Sequence, residues 1–254
     1  MKIVILTSVE KGHASLCLNE LNNNPNIDVA GIIFAKNTAK KNLRFYKKKI
    51  IKLIKIGILG ALNGIRIRGW FLPSSEHNII NLCKELNIPI FFSHNINSLE
   101  TRDYLSNLRV DIGVSLGNSY ISSKVFKIPR YGMINIHTEL LPKYQGAHSV
   151  IWPIYNNETV TGFTIHEIDK SIDTGNILYI EKIPISFHKT LKNTIYHTSK
   201  DVNLKLPIAL SKVCENFHKY KDNGIVQKRN KSFTTPTLSQ FIKMVLNNRK
   251  LYKK

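Results

Sequence analysis

The start of the chain constrains its fold more than any later stretch. Lys2–Thr7 is a short, β-branched apolar run of the kind that forms a buried first strand. Helical spacing follows through Ala14, Leu16, Leu18 and Leu21 and stops at Asn22-Asn23-Asn24-Pro25. Val29–Phe34 then reads as a second buried strand. This strand-helix-strand opening predicts a parallel sheet with covering helices.

The alternation resumes further on. The pattern predicts a helix at Ser75–Leu86, a strand at Ile90–Phe92, a helix at Leu99–Leu108 and a strand at Ile112–Leu116 that ends in Gly117-Asn118. A short helix around Ser122–Phe126 precedes the strand Met133–His137. Thr161–Glu167 and Ile177–Pro184 read as two later strands, and a polar helix from Leu191 to about Tyr220 closes the main domain. Near the end, Thr234–Thr237 stands ahead of an apolar pattern, as a capped helix would begin. The expectation is an α/β chain, with a mostly parallel sheet flanked by helices over 1–185 and a short helical extension over 186–254.

Residues 38–68 interrupt this rhythm with a basic, amphipathic helical pattern through Leu43, Tyr46, Ile50, Ile51 and Ile54. Its simplest reading is an insertion packed on the domain surface. The sharper alternative is a helix lying on an anionic membrane surface. Residues 36–68 hold eleven Lys/Arg and no Asp or Glu, and residues 225–254 hold eight and none. Nearly all of the formal charge of +20 therefore sits in two segments. Such segments can meet nucleic acid, anionic lipid or a phosphorylated substrate, or simply form a solvated face. No nucleic-acid-binding motif accompanies them, so no nucleic-acid partner is expected.

The three cysteines, Cys17, Cys83 and Cys214, are widely spaced. They suggest neither a disulfide framework nor a zinc site, and they suit a reducing cytoplasm. The N-terminal apolar run is too short for a signal peptide. The apolar stretch near Ile50–Ile65 is broken by Lys52, Lys55, Gly57, Gly60 and Asn63, so stable membrane insertion is not expected. No GxGxxG or GxxxxGK[ST] loop occurs, which disfavours a conventional dinucleotide or triphosphate site.

Chemistry concentrates between Asn135 and Gly175. Asn135 and His137 lie two apart on a predicted strand and would project from one face. In an open parallel sheet, ligands bind outside the carboxyl ends of the strands, where both this strand and Leu116-Gly117-Asn118 end. The Asn135 amide could donate to a developing oxyanion, with a protonated His137 as a second donor. Asp173, in the polar turn that ends at Gly175, could hold His137 in a useful state or take a proton from an attacking amine. Singly, Asn-x-His also reads as a satisfied structural pair, and Asp-Thr-Gly as an ordinary turn.

Together these motifs carry a resemblance. Asn135-Ile-His137-Thr-Glu-Leu-Leu-Pro-Lys-Tyr-Gln-Gly146, then Thr161-Gly-Phe-Thr-Ile-His166, then Ile172-Asp173-Thr174-Gly175, resembles the folate-dependent formyltransferases. That family includes glycinamide ribonucleotide, methionyl-tRNA and nucleotide-sugar formyltransferases. The likeness spans roughly 1–185 and is most specific over 112–178. It implies a Rossmann-like formyltransferase fold and transfer of a formyl group from N10-formyltetrahydrofolate to a primary amine through a tetrahedral intermediate, without a metal. It implies Asn135, His137 and Asp173 as catalytic residues. The pterin wall would fall on the Val114–Asn118 strand end (Val114, Leu116, Gly117, Asn118) and on the Ile168–Asp173 loop. Lys143, Tyr144, Gln145 and Gly146 would face the amine.

The stretch Gly146-Ala-His-Ser-Val-Ile-Trp152-Pro-Ile-Tyr and the phrase Thr-Gly-Phe-Thr-Ile-His-Glu-Ile-Asp most resemble the nucleotide-linked sugar N-formyltransferases. That subfamily implies a dTDP- or UDP-linked amino-dideoxy sugar, such as dTDP-4-amino-4,6-dideoxyglucose, destined for lipopolysaccharide O-antigen or other surface polysaccharide. Trp152 is then either a contact to the nucleotide or a core aromatic. A methionyl-tRNA enzyme is the alternative, since basic segments would serve it, and a non-catalytic basic protein binding RNA or membrane is a third. A homodimer through the C-terminal helix is compatible with the sequence.

Overall fold

A computed structural model of the protein describes residues 1–36, 43–71, 75–146 and 149–253. Seven strands form one sheet: β1 (Lys2–Thr7), β2 (Asp28–Ala35), β3 (Ile90–Ser93), β4 (Ile112–Ser115), β5 (Met133–His137), β6 (Val160–Glu167) and β7 (Ile177–Pro184). Their spatial order is β3-β2-β1-β4-β5-β6-β7. The first five pair in parallel, and β6 and β7 add on antiparallel. The order reverses between β1 and β4, so their carboxyl ends flank the crevice that such sheets offer to ligands.

Helices cover both faces. α1 (His13–Asn23) buries Ala14, Cys17, Leu18 and Leu21, a stripe at i, i+3, i+4 and i+7. It stops at Asn24, whose ψ of 114° is the extended backbone that a following proline imposes. α3 (Ile79–Glu85) is shorter than the expected 75–86 helix. Asn78 caps it by accepting from Ile80 N at 2.8 Å, which fixes the start there. α4 (Leu99–Leu108) and α5 (Ser123–Phe126) lead into β4 and β5.

α6 (Ile151–Tyr155) is a short helix without an expected counterpart. α7 (Leu191–Glu215) is not the polar helix its composition suggests. Val202, Leu206, Ala209, Leu210 and Val213 form an inward stripe in the main core, packed with α1 and the sheet. It ends at Asn216, where the backbone leaves helical geometry, and α8 (Phe217–Asp222) follows. α9 (Leu238–Tyr252) has the expected cap: Thr237 and Gln240 form a capping box.

The basic insertion begins in residues outside those described and continues as α2 (Leu43–Arg68). Its second half packs on the domain. There Gly60 and Gly64 abut Pro236–Thr237 and Thr235, the segment that leads into α9.

Candidate active site

β5 supplies the first polar side chains. Asn135 and His137 share one face of this strand, and β6 sets His166 and Thr164 directly opposite them. His166 is 3% exposed, and its Nδ1 lies 2.8 Å from the Glu167 carbonyl. A carbonyl only accepts, so Nδ1 carries the proton and Nε2 presents its lone pair. Burial pushes this imidazole's pKa below its ordinary value, which keeps the ring neutral. The Asn135 amide donates to that lone pair at 3.3 Å. One N–H of Asn135 is thereby used, and the second points the amide's remaining donor capacity elsewhere.

His137 is held the opposite way. Its Nε2 donates to the Tyr144 carbonyl at 2.7 Å, so Nδ1 faces Asp173, with Oδ2 3.5 Å away. The same Oδ2 accepts from Gly146 N at 2.9 Å, and Oδ1 lies 3.7 Å from His166 Nε2. One carboxylate thus sits between two imidazoles and a backbone donor.

Two loops make this convergence. In the 168–175 loop, Asp169 accepts from Ser171 N at 2.9 Å and from Thr174 Oγ1 at 2.7 Å, which folds the turn and aims Asp173 inward. Asp173 itself has a φ of 54°, a left-handed backbone that Asp tolerates better than most residues. A Cβ on Gly175 would fall 1.9 Å from the Glu167 carbonyl oxygen, so the loop closes only with glycine there.

The second loop follows β5 and is fastened from inside by Glu139. This fully buried carboxyl accepts from Val150 N at 2.6 Å, Thr161 Oγ1 at 2.9 Å and Leu140 N at 3.3 Å. Burial nevertheless outweighs those hydrogen bonds and pushes its pKa up to about 8.

A cleft of about 270 Å³ opens beside Asn135 and Asp173. Ser115 and Asn118 at the end of β4 form part of its wall, with Ile121, Ile168 and Ile172. Asn118 ties the switch point together, its Nδ2 donating to the Leu6 carbonyl at 2.6 Å and to Ser115 Oγ at 3.1 Å.

The expected residues thus distribute unevenly. Asn135, His137 and Asp173 come together, and Asn118 and Ile168 line the adjoining cleft. The Val114 and Leu116 side chains lie in the main core, and Gly117 turns at φ 80° against Val9. Tyr144 reaches His137 through its carbonyl, whereas its ring is buried and its hydroxyl accepts from Asn156. Gly146 reaches Asp173 through its N–H. Lys143 pairs with Glu158, away from the carboxylate–imidazole group. Gln145 is buried against the 227–230 segment. Trp152 is a core aromatic, packed on Phe233 and Tyr155. Ala147 and His148, part of the Gly146–Trp152 stretch, lie outside the described residues.

The sequence assigns His166 no role, whereas Ser115 and Ile172 fall within the two stretches expected to form the pterin wall. A partial signal for His166 is the alternation of Thr164 and His166 with Phe163 and Ile165, which puts the two polar side chains on one face of β6 but not opposite any named partner.

Several known proteins share parts of this sequence. The bifunctional polymyxin resistance protein ArnA of Wigglesworthia glossinidia brevipalpis is 39% identical over 128 residues, 48% of this chain and 20% of its own length. The GDP-perosamine N-formyltransferase of Brucella melitensis is 34% identical over 119 residues, 43% of this chain and 46% of its own. Methionyl-tRNA formyltransferases match over 40% and 41% of the chain. The chain spans less than half the length of these curated relatives. In fold it is similar to a phosphoribosylglycinamide formyltransferase from Anaplasma phagocytophilum, with a TM-score of 0.62 at 15% identity over 93% of this chain and 96% of that one. The formyl transferase family matches residues 1–209, and the chain belongs to that family.

Proposed function

We propose that this chain transfers the formyl group of N10-formyltetrahydrofolate to the primary amine of a nucleotide-linked amino-dideoxy sugar. The observation that carries the chemistry is the Asn135/His137/Asp173 group at the carboxyl end of β5, with His137 Nδ1 3.5 Å from Asp173. The adjoining cleft suits a pterin in kind. Ile121, Ile168 and Ile172 offer apolar walls to a flat ring, and Ser115 and Asp169 offer polar atoms to its edge.

Bound N10-formyltetrahydrofolate would supply the activated formyl carbon. Asn135, oriented by His166, would donate its remaining N–H to the formyl oxygen as negative charge develops there. A preorganised donor of this kind is worth roughly 3–4 kcal/mol in the barrier. The attacking amine must lose a proton as its bond to carbon forms, and the N10–carbon bond then breaks with N10 taking up a proton, which releases tetrahydrofolate. Asp173 and Nδ1 of His137 are the acceptors in reach of that amine. Held by the Tyr144 carbonyl, Nε2 of His137 cannot rotate into this role without breaking a 2.7 Å bond.

The sugar assignment rests on the Gly146–Trp152 and Thr161–Asp169 stretches and on the match to a GDP-perosamine N-formyltransferase. Methionyl-tRNA is the second reading, favoured by the tRNA enzymes' comparable identity, 37% over 105 residues. Incubation with N10-formyltetrahydrofolate and dTDP-4-amino-4,6-dideoxyglucose, with release of tetrahydrofolate as the readout, tests the first. Parallel reactions with GDP-perosamine, glycinamide ribonucleotide and methionyl-tRNA rank the acceptors. Turnover on none of the amino-sugar nucleotides rules out the sugar reading, and activity of Asn135→Ala equal to wild type rules out the site. Residues 1–185 would form the catalytic unit and 186–254 an extension that braces it, in the cytoplasm and serving surface polysaccharide synthesis.

A further inference from the structure

The α2–α9 side of the molecule carries a surface that formyl transfer does not use. Before Gly57, Leu43, Ile50, Leu53 and Ile54 recur at i, i+7, i+10 and i+11, one face of a helix. A stripe like this ordinarily faces a core. Here Leu43 is 80% exposed and Ile54 77%, and among the described residues the other two are exposed as well. Gly57, at φ 72° and ψ 163°, breaks the helix in a backbone region open essentially to glycine alone.

Past the break, one side of α2 is pinned down. A Cβ at Gly64 would lie 2.4 Å from Thr235 Cγ2, so glycine permits this close approach. The opposite side leaves Ile58, Leu59, Leu62 and Ile65 exposed, and α9 beside it adds exposed Ile242 and Leu246. Exposed apolar side chains in this number mark a contact with something other than water.

The charge says which kind of contact. Residues 36–68 and 225–254 contain nineteen Lys/Arg and no acidic residue. A pocket of about 440 Å³ lies where the end of α2 meets α9 and the start of α7. Arg66, Lys189, Lys192 and Arg249 line it, with no carboxylate among its lining residues, and the Arg66 guanidinium sits 5.4 Å over the Trp70 ring. Two copies of this chain meeting through such a face would bring like charges together. An RNA would use the cations and leave the isoleucines and leucines in water. An anionic bilayer uses both, because apolar side chains enter the headgroup–acyl boundary while the basic ones meet phosphate. No helix among the described residues is long and apolar enough to cross a membrane, which is consistent with lying on one.

We propose that the α2–α9 surface docks this protein on anionic phospholipid bilayers, with the exposed Ile and Leu side chains of α2 entering the interface and the four-cation pocket taking a lipid phosphate.

Flotation of the full chain with vesicles tests this independently of formyl transfer. Phosphatidylcholine vesicles containing phosphatidylglycerol should carry the protein, and pure phosphatidylcholine vesicles should carry on the order of ten-fold less. Ile50→Asp/Ile54→Asp removes the apolar contact, and Lys52→Glu/Lys55→Glu reverses the charge. All four positions are exposed, so both variants should keep the circular dichroism of the wild type, and each should lose most of the bound fraction. Lys192→Glu/Arg249→Glu should do the same through the pocket. Flotation that is absent, or unchanged in all three variants, overturns the proposal. A concentration-dependent dimer in sedimentation velocity that Ile50→Asp/Ile54→Asp abolishes, without flotation, overturns it in favour of a second copy. Binding of an RNA duplex that the charge variants abolish, without flotation, overturns it in favour of nucleic acid.

Discussion

The Asn135 amide donates to Nε2 of His166 at 3.3 Å across the β5–β6 pair, and this bond decides which way the amide faces. His166 is a positioning residue: its Nδ1 proton is committed to the Glu167 carbonyl, so its other nitrogen can only accept. His166→Leu keeps the volume and loses the acceptor. Under the proposed chemistry, kcat should fall by roughly 10²-fold, with KM for the amine little changed, because a small misplacement of a catalytic donor costs that much. His166→Gln, which restores an acceptor, should recover part of the rate. A rate equal to wild type in His166→Leu would remove the residue from the site.

The same histidine makes a pH prediction. Burial lowers its folded pKa beneath the ordinary 6.5, so below pH 6.5 the unfolded chain takes up a proton that the folded chain refuses. Its contribution to stability is present above that pH and is lost as the pH falls towards the folded value. Urea midpoints at pH 7.5 and 5.5 should differ less in His166→Leu than in the wild type. Equal differences would contradict the assignment.

Glu139 has the opposite sign. Its folded pKa is pushed up to about 8 from 4.5, so stability is fully present below 4.5 and is lost as the pH rises through 8. Glu139→Gln should flatten the alkaline half of the stability profile. Glu139→Ala should destabilise at every pH by ~2–4 kcal/mol, because Val150 N and Thr161 Oγ1 are left buried without an acceptor. Denaturation curves across pH 5–9 check both statements.

How much of this could be read from the sequence depended on distance along the chain. The parallel strands were legible because strands covered on both faces are continuous apolar runs, as in Ile3–Leu6 and Ile112–Val114. The Asn135/His137 pair was legible because alternation in a strand is strict. His166 was not, since its place opposite Asn135 depends on how β6 registers on β5 across the long 138–159 connection. Glu139 was not, because a carboxylate reads as exposed until the loop that buries it is known. The inward stripe of α7 is diluted by lysines and asparagines on its outer face, Tyr144 reads as a substrate contact because its motif lies beside the catalytic one, and Trp152 reads equally as a nucleotide contact or a core aromatic until its packing is known.

Asp173→Asn separates charge from geometry. An asparagine can still accept from Gly146 N through its Oδ1, so the loop contact survives, and thermal stability should change by less than ~1 kcal/mol. The carboxylate facing His137 Nδ1 is lost, and with it one of the two proposed proton acceptors. General-base loss of this kind costs about 10²–10⁴-fold in kcat. A variant that unfolds, or one that keeps full activity, would show that Asp173 serves the loop and not the chemistry.

Gln145 joins the active-site loop to the C-terminal segment. Its side chain accepts from Asn230 N at 2.8 Å and donates to Gln227 Oε1 and the Lys228 carbonyl, both at 3.3 Å, while Phe233 N donates to its carbonyl at 2.8 Å. The neighbours on either side are the ones that matter: the Tyr144 carbonyl holds His137, and Gly146 N holds Asp173. Loosening Gln145 therefore loosens His137 and Asp173 at once, although its own side chain touches neither. Gln145→Ala should cost ~1–3 kcal/mol in stability, since buried partners lose their hydrogen bonds. It should also lower kcat by about ten-fold or more, because both side chains lose positional restraint together. Hydrogen exchange at Gly146 N and Phe233 N should accelerate in the same variant, ahead of the β1–β4 core amides. If exchange at those two amides stays at the wild-type rate while activity falls, the C-terminal segment does not brace the site, and Gln145 acts on the substrate directly.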